Sequence, residues 1–133
     1  MDTIKRIMKE KGQRFTSQKK DVLDALQQKP QTVIEILNAV EAKKNTIDKV
    51  TIYRILTSFI AIGIVKEIHL GDRETRYELS NRGHHHHLVC ESCGNIEDVE
   101  LCEDILLKGV QKKSSFRIKS HSLEFFGTCK KCQ

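Results

Sequence analysis

No apolar run in this 133-residue chain approaches the ~20 residues that a bilayer-spanning helix needs. The N-terminal stretch MDTIKRIMKEKG lacks an apolar core followed by a small-residue cleavage site, so no secretory signal is read and a cytoplasmic protein without a membrane partner is expected. Disulfide patterning is missing as well. The cysteines number five, an odd count, and four of them fall in Cys-x-x-Cys pairs, which in a reducing compartment argues for metal. Neither pair lies in the βαβ setting of a thioredoxin-like redox motif. No substrate-binding signature is found, and a hydrolytic zinc site would need an open coordination position beside a general base. A binding or regulatory protein is therefore expected ahead of an enzyme. Hydrophobic residues at 38% and charged residues at 31% are ordinary for a globular protein. A chain of this length is one domain or two small ones, and a small second domain would need a staple.

The net charge of +5 is unevenly placed. Residues 1–83 hold 16 Lys and Arg against 11 Asp and Glu, whereas residues 84–133 hold 7 against 7. A basic surplus on one part of a chain suits a polyanionic partner. That part also has a readable architecture. Ile4, Ile7 and Met8 predict a short helix stopped by Gly12. Thr16 is an N-cap candidate before a helix burying Val22, Leu23 and Leu26. After Lys29-Pro30, Thr32 and Glu35 stand at capping-box spacing before Val33, Ile36, Leu37 and Val40. Asp48 caps a longer amphipathic segment that places Ile52, Ile55, Leu56 and Phe59 inward and ends at Gly63. Two β-rich runs, IVKEIHL and TRYELS, follow around Gly71-Asp72, a hairpin signal with Arg73 at its tip. Helices followed by a hairpin describe a winged helix, whose last helix enters the DNA major groove. Its outward residues here are Lys49, Thr51, Tyr53 and Arg54, of types that meet phosphates, guanine edges and thymine methyls.

The last 50 residues carry the metal chemistry. Cys90-x-x-Cys93 and Cys129-x-x-Cys132 each suit two corners of a tetrahedral zinc, and together they predict one closed structural site of four thiolates. Between them NIEDVEL reads as a strand, CEDILLKGVQKK as a helix and FRIKSHSLEFFGTC as one or two strands. The overall class is α+β, a winged helix joined to a small α/β unit. Four consecutive histidines, residues 84–87, stand mid-chain, where an affinity tag is not expected. Along a strand they alternate, His85 and His87 to one face, His84 and His86 to the other. Two histidine pairs result, each able to meet carboxylates among Glu78, Asp98, Glu103 and Asp104, with His121 as a further histidine. Such mixed ligand sets suit zinc, iron, manganese, cobalt or nickel. The plainer alternative is a solvated histidine-rich turn.

Taken together, VTIYRIL, RYEL, HHHHLVCESCG, SHSLEFFGTC and the final Cys-x-x-Cys, in this order and spacing, resemble the ferric uptake regulator (Fur) family of metal-dependent repressors. The resemblance covers nearly the whole chain. It implies a winged-helix DNA-binding domain at 1–80, a hinge at 81–84 and a dimerisation and metal-binding domain at 85–133. It further implies homodimers that bind inverted-repeat double-stranded DNA operators when a regulatory metal is present. By position it assigns Cys90, Cys93, Cys129 and Cys132 to structural Zn2+. Glu78, His85, His87 and Asp98 go to a regulatory site for Fe2+, Zn2+ or Mn2+. His84, His86 and His121 go to a third site completed by Asp104, with Glu103 as the one-residue alternative. Arg14 and Lys19 become phosphate contacts, and Tyr53-Arg54 falls on the family's recognition-helix pair.

One departure stands out. Many family members add a histidine ligand just before the third helix, where this chain has Pro30 and Gln31, and no histidine precedes His69. Glu78 is then the evident metal ligand contributed from before the hinge. The peroxide-sensing branch combines that histidine with an aspartate at the position of Asp98. Keeping the aspartate without the histidine argues against peroxide sensing. Cys102, on the predicted helix, reads as a core residue. The resulting expectation is a metal-responsive repressor. The alternative is a metal chaperone or storage module that does not bind DNA.

Overall fold

The structure, a computed structural model, describes residues 1–71, 73–82 and 85–133, without the side chain of Arg82. The chain divides into two compact units, Met1–Gly83 and His84–Gln133. The expected hinge falls partly on Gly83 and His84, outside the described residues.

In the first unit, four helices, α1 (Asp2–Glu10), α2 (Ser17–Ala25), α3 (Val33–Ala42) and α4 (Lys49–Ala61), precede strands β1 (Val65–Ile68) and β2 (Arg76–Leu79). Local chemistry starts three of the helices. The Thr16 hydroxyl accepts the Lys19 N–H, Thr32 and Glu35 form a reciprocal capping box, and Asp48 Oδ1 accepts the Thr51 N–H at 2.7 Å. Each cap satisfies donors that a helix start leaves unpaired. Past α4, Gly63 takes φ of 80°, a left-handed conformation costly for a side chain, and Ile64 N–H returns to the Phe59 carbonyl at 2.9 Å. The inward faces meet in one core, with Met8, Leu23, Leu26, Ile36, Ile52, Leu56 and Phe59 buried.

β1 and β2 pair antiparallel, from Val65 opposite Leu79 to Ile68 opposite Arg76, and cover that core with Val65, Tyr77 and Leu79. Gln31 adds a bridge beside β2, exchanging backbone hydrogen bonds of 3.0 and 2.9 Å with Tyr77. The hairpin expected around Gly71-Asp72 forms, with shorter strands than the β-rich runs suggest and a connection over residues 69–75 that contains fully buried Leu70. Asp72 lies outside the described residues.

In the second unit, β3 (His86–Cys90) is central, flanked by antiparallel β4 (Ile96–Val99) and parallel β5 (Glu124–Gly127), with α5 (Asp104–Lys113) on the crossover. The final β-rich stretch thus supplies one strand, on the edge of β3 that β4 leaves open. Few apolar groups are buried here: Val89, Cys90 and Ile96. α5 buries none of its residues, and Ile105 is 80% exposed.

Candidate metal centres and DNA-reading surface

The parallel register of β3 with β5 explains how cysteines far apart in sequence meet. Cys90 stands opposite Gly127, so Cys129 arrives beside it two residues later. Gly94, with φ of 78°, turns the first pair, donating its N–H to the Cys90 carbonyl at 2.9 Å. Cys90 Sγ accepts the backbone N–H groups of Cys129 at 3.3 Å and Cys93 at 3.5 Å. The sulfurs of Cys90, Cys93, Cys129 and Cys132 all lie within 4.8 Å of one another.

Cys93 Sγ and Cys129 Sγ are 3.7 Å apart. A disulfide would bring them to about 2.0 Å, whereas zinc–sulfur bonds of ~2.3 Å give a tetrahedron with an edge of about 3.8 Å. The electrostatics agree. The N–H groups of Cys129 and then Cys93 hold the Cys90 thiol down to about 6. Hydrogen bonding with Cys129, Cys93 and Cys90 pushes Cys132 up to about 12. The Cys90 thiolate is stabilised and that of Cys132 opposed, and four like charges at this spacing need a cation among them. The set fits a structural zinc site.

The histidines separate by face. His87 is paired in register with Asp98 across β3 and β4. The Nε2 atoms of His85 and His87 each lie 3.8 Å from Asp98 Oδ1, and their rings meet edge to face at 4.9 Å. Those nitrogen–oxygen distances are too long for hydrogen bonds and of the order that two ~2.1 Å bonds to a shared ion span. His86 points the other way. Its Nδ1 lies 3.2 Å from the Leu123 carbonyl, so Nδ1–H donates there and the Nε2 lone pair is left for a ligand role within the buried set. That nitrogen meets Glu103 Oε1, and His121 Nε2 meets Glu103 Oε2. Two imidazoles around a buried carboxylate form a second donor set, and His84, also expected there, lies outside the described residues.

The expected Asp104 is corrected by this geometry. The carboxylate between His86 and His121 belongs to Glu103, which is buried, while Asp104 is exposed as the first residue of α5. Successive residues at a helix start project about 100° apart, so a one-residue difference in where α5 begins exchanges the inward and outward carboxylates. Asp104 instead offers its charge to the helix N-terminus. Cys102 also differs from expectation. It is exposed and precedes α5 rather than packing within it.

Glu78, in the first unit, is buried on β2, with Lys66 Nζ 3.3 Å from its carboxylate across the hairpin. Strand alternation in VKEI, placed opposite RYEL, is the signal that finds this lysine. On α4, Lys49, Tyr53 and Arg54 are exposed, whereas Thr51 is half-buried and commits its N–H to the Asp48 cap. Arg14 is exposed. Lys19 Nζ donates to the Arg14 carbonyl at 2.9 Å, bracing the α1–α2 connection as well as offering charge. Arg73 is half-buried in the hairpin connection.

The family model described as "Ferric uptake regulator family" matches residues 10–126. The peroxide-responsive repressor PerR of Staphylococcus aureus is 33% identical over 129 residues, covering 95% of this chain and 86% of the relative. Among solved structures, the Vibrio cholerae ferric uptake regulator is 28% identical with a TM-score of 0.79, over 94% of this chain and 98% of its own. The Helicobacter pylori ferric uptake regulator has a TM-score of 0.82 over 98% of this chain and 89% of its own. At 24% identity its likeness is one of fold.

Proposed function

This chain belongs to the ferric uptake regulator family of metal-responsive regulators, and on that premise we propose that it is a homodimeric repressor. Its operator is inverted-repeat duplex DNA, bound when Fe2+, Zn2+ or Mn2+ occupies Glu78, His85, His87 and Asp98. The observation that carries this reading is the division of the histidines at the start of β3 and just before it. His85 and His87 turn to Asp98, while His86 turns to Glu103 and His121, which separates a sensing set from an auxiliary one.

The winged-helix unit presents Lys49, Tyr53 and Arg54 at the start of α4, where a recognition helix contacts bases and phosphates. The exposed apolar residues of α5, Ile105, Leu106 and Val110, suit a second copy of the chain. A divalent cation at the sensing site would supply the charge that gathers the two imidazoles and two carboxylates. Glu78 belongs to the winged-helix unit and the other three to the second unit. Ligation by all four therefore ties the units across residues 81–84 and biases them toward the geometry in which both α4 helices reach successive major grooves. Lys66, across the hairpin, lies beside the Glu78 carboxylate and would give way when that carboxylate becomes a ligand.

The Staphylococcus aureus relative responds to peroxide. In this chain the first unit contributes no histidine before His69, and the proposed signal is metal supply itself. The test is anaerobic titration of operator binding with iron, zinc and manganese for the wild type and the His85→Ala/His87→Ala double variant. Metal-dependent binding that survives in the double variant removes this site from the mechanism. Metal transfer to a partner without salt-sensitive duplex binding would favour a chaperone instead.

A further inference from the structure

A helix start leaves N–H groups that its own turns cannot satisfy, and such groups favour anions. In α3, a helix of 10 residues, the Thr32 hydroxyl takes the Glu35 N–H, and the amides of Val33 and Ile34 are left with no acceptor in the capping box. Val33 and Ile34 line a cavity of about 450 Å³ within the first unit, and Lys49 and Tyr53 of α4 line it as well.

Tyr77 of β2 supplies an independent observation. It is 6% exposed and packs in the core, yet it lines the same cavity, and its hydroxyl has no hydrogen bond to any described residue. The hydroxyl oxygen itself is reached by solvent, so within the lining of the cavity it can donate to a ligand. Burial first, then the nearby charge of Glu67, raises the Tyr77 phenol above its ordinary value, so it is a donor at neutral pH. The lining therefore combines an ammonium, two phenols and a helix start, against the single carboxylate of exposed Glu74.

We propose that this cavity seats one backbone phosphate of duplex DNA, beside the groove that α4 enters, held by the Tyr77 hydroxyl, the Lys49 ammonium and the first amides of α3. The inference rests on the DNA-binding reading above and adds a positioning contact to it. A phosphodiester accepts hydrogen bonds and carries negative charge, which is what a set of donors recognises. A base edge presents donors as well as acceptors, and Glu74 is the only charged acceptor among the described residues of the lining. A phosphate contact at this place would fix the depth and register of α4 without reading sequence.

The test uses the full-length, manganese-loaded protein and a labelled duplex obtained by in vitro selection against it, with a scrambled duplex alongside. Tyr77→Phe keeps the packed ring and removes the hydroxyl. The expected result is about ten-fold weaker binding to both duplexes, the loss of one hydrogen bond to a charged group, with an unchanged salt slope. Lys49→Gln should instead lower the salt slope by about 1. Ethylation interference should show one phosphate per half-site that matters to the wild type and not to Tyr77→Phe. An effect of altered packing would not erase a single phosphate. Tyr77→Phe affinity within about two-fold of wild type, with an unchanged interference pattern, overturns the proposal while the regulator reading stands. Failure of the wild type to bind any selected duplex overturns both.

Discussion

The two units of this protein are held together by different means. In the first, Met8, Leu23, Leu26, Ile36, Leu56 and Phe59 from all four helices interlock in a continuous apolar core. In the second, the buried apolar residues are Val89, Cys90 and Ile96, and beside them His86, His87 and Glu103 are buried polar groups. A piece of this size cannot exclude enough water by its own apolar surface, and small folds of this kind add metals or partners. The winged-helix unit stands on packing, whereas the unit that carries the metal sites stands on ligands. A domain whose stability comes from ligation is the one whose conformation a change in metal supply can shift.

Removing the zinc should break this contrast most severely. In the Cys93→Ser variant, or after chelation, amide protection of β3, β4 and β5 should be lost while α2, α3 and α4 remain protected in hydrogen exchange. Equal loss in both units would show that they do not differ in this way. The converse experiment is Phe59→Ala. It should destabilise the first unit by about 3–5 kcal/mol, seen in its own unfolding transition, with bound zinc unchanged.

A smaller effect is expected at α5. Ile105→Asp places a charge on an 80% exposed apolar side chain, so the monomer fold should persist while sedimentation equilibrium shows a weakened dimer. An unchanged dimer would move the interface elsewhere. The finest distinction is between adjacent carboxylates. Glu103→Gln should abolish or strongly weaken metal binding at the His86–His121 set, while Asp104→Asn leaves it intact, as read by metal stoichiometry after dialysis. The reverse ranking would restore Asp104, the carboxylate that the family resemblance implies.

Legibility followed the range of the interactions. Thr16 to Lys19, Thr32 to Glu35 and Asp48 to Thr51 are three residues apart, so the sequence shows each helix start as plainly as the structure does. The cysteine pairs and the alternation of His85, His86 and His87 are likewise local patterns. The hairpin is less legible. Its turn residues are visible, but the connection over 69–75 follows from where Leu70 is buried. Cys102 reads as core only if the helix starts early, and α5 begins two residues after it. Tyr77 looks like a strand core residue, which it is, and its unpartnered hydroxyl cannot be read from RYEL.

The chain's residues alone specify the class of chemistry: which thiols can pair on a tetrahedral ion, which imidazoles share a strand face, where helices start and which part carries the positive charge. These follow from covalent geometry and periods of 2 and 3.6 residues, which act over a few positions. Folding settled which partners meet. The parallel pairing of β5 with β3 carried Cys129 to Cys90, and the starting point of α5 turned Glu103 rather than Asp104 toward His86. Such choices depend on burial summed over distant segments, and a one-residue shift reverses them at little local cost.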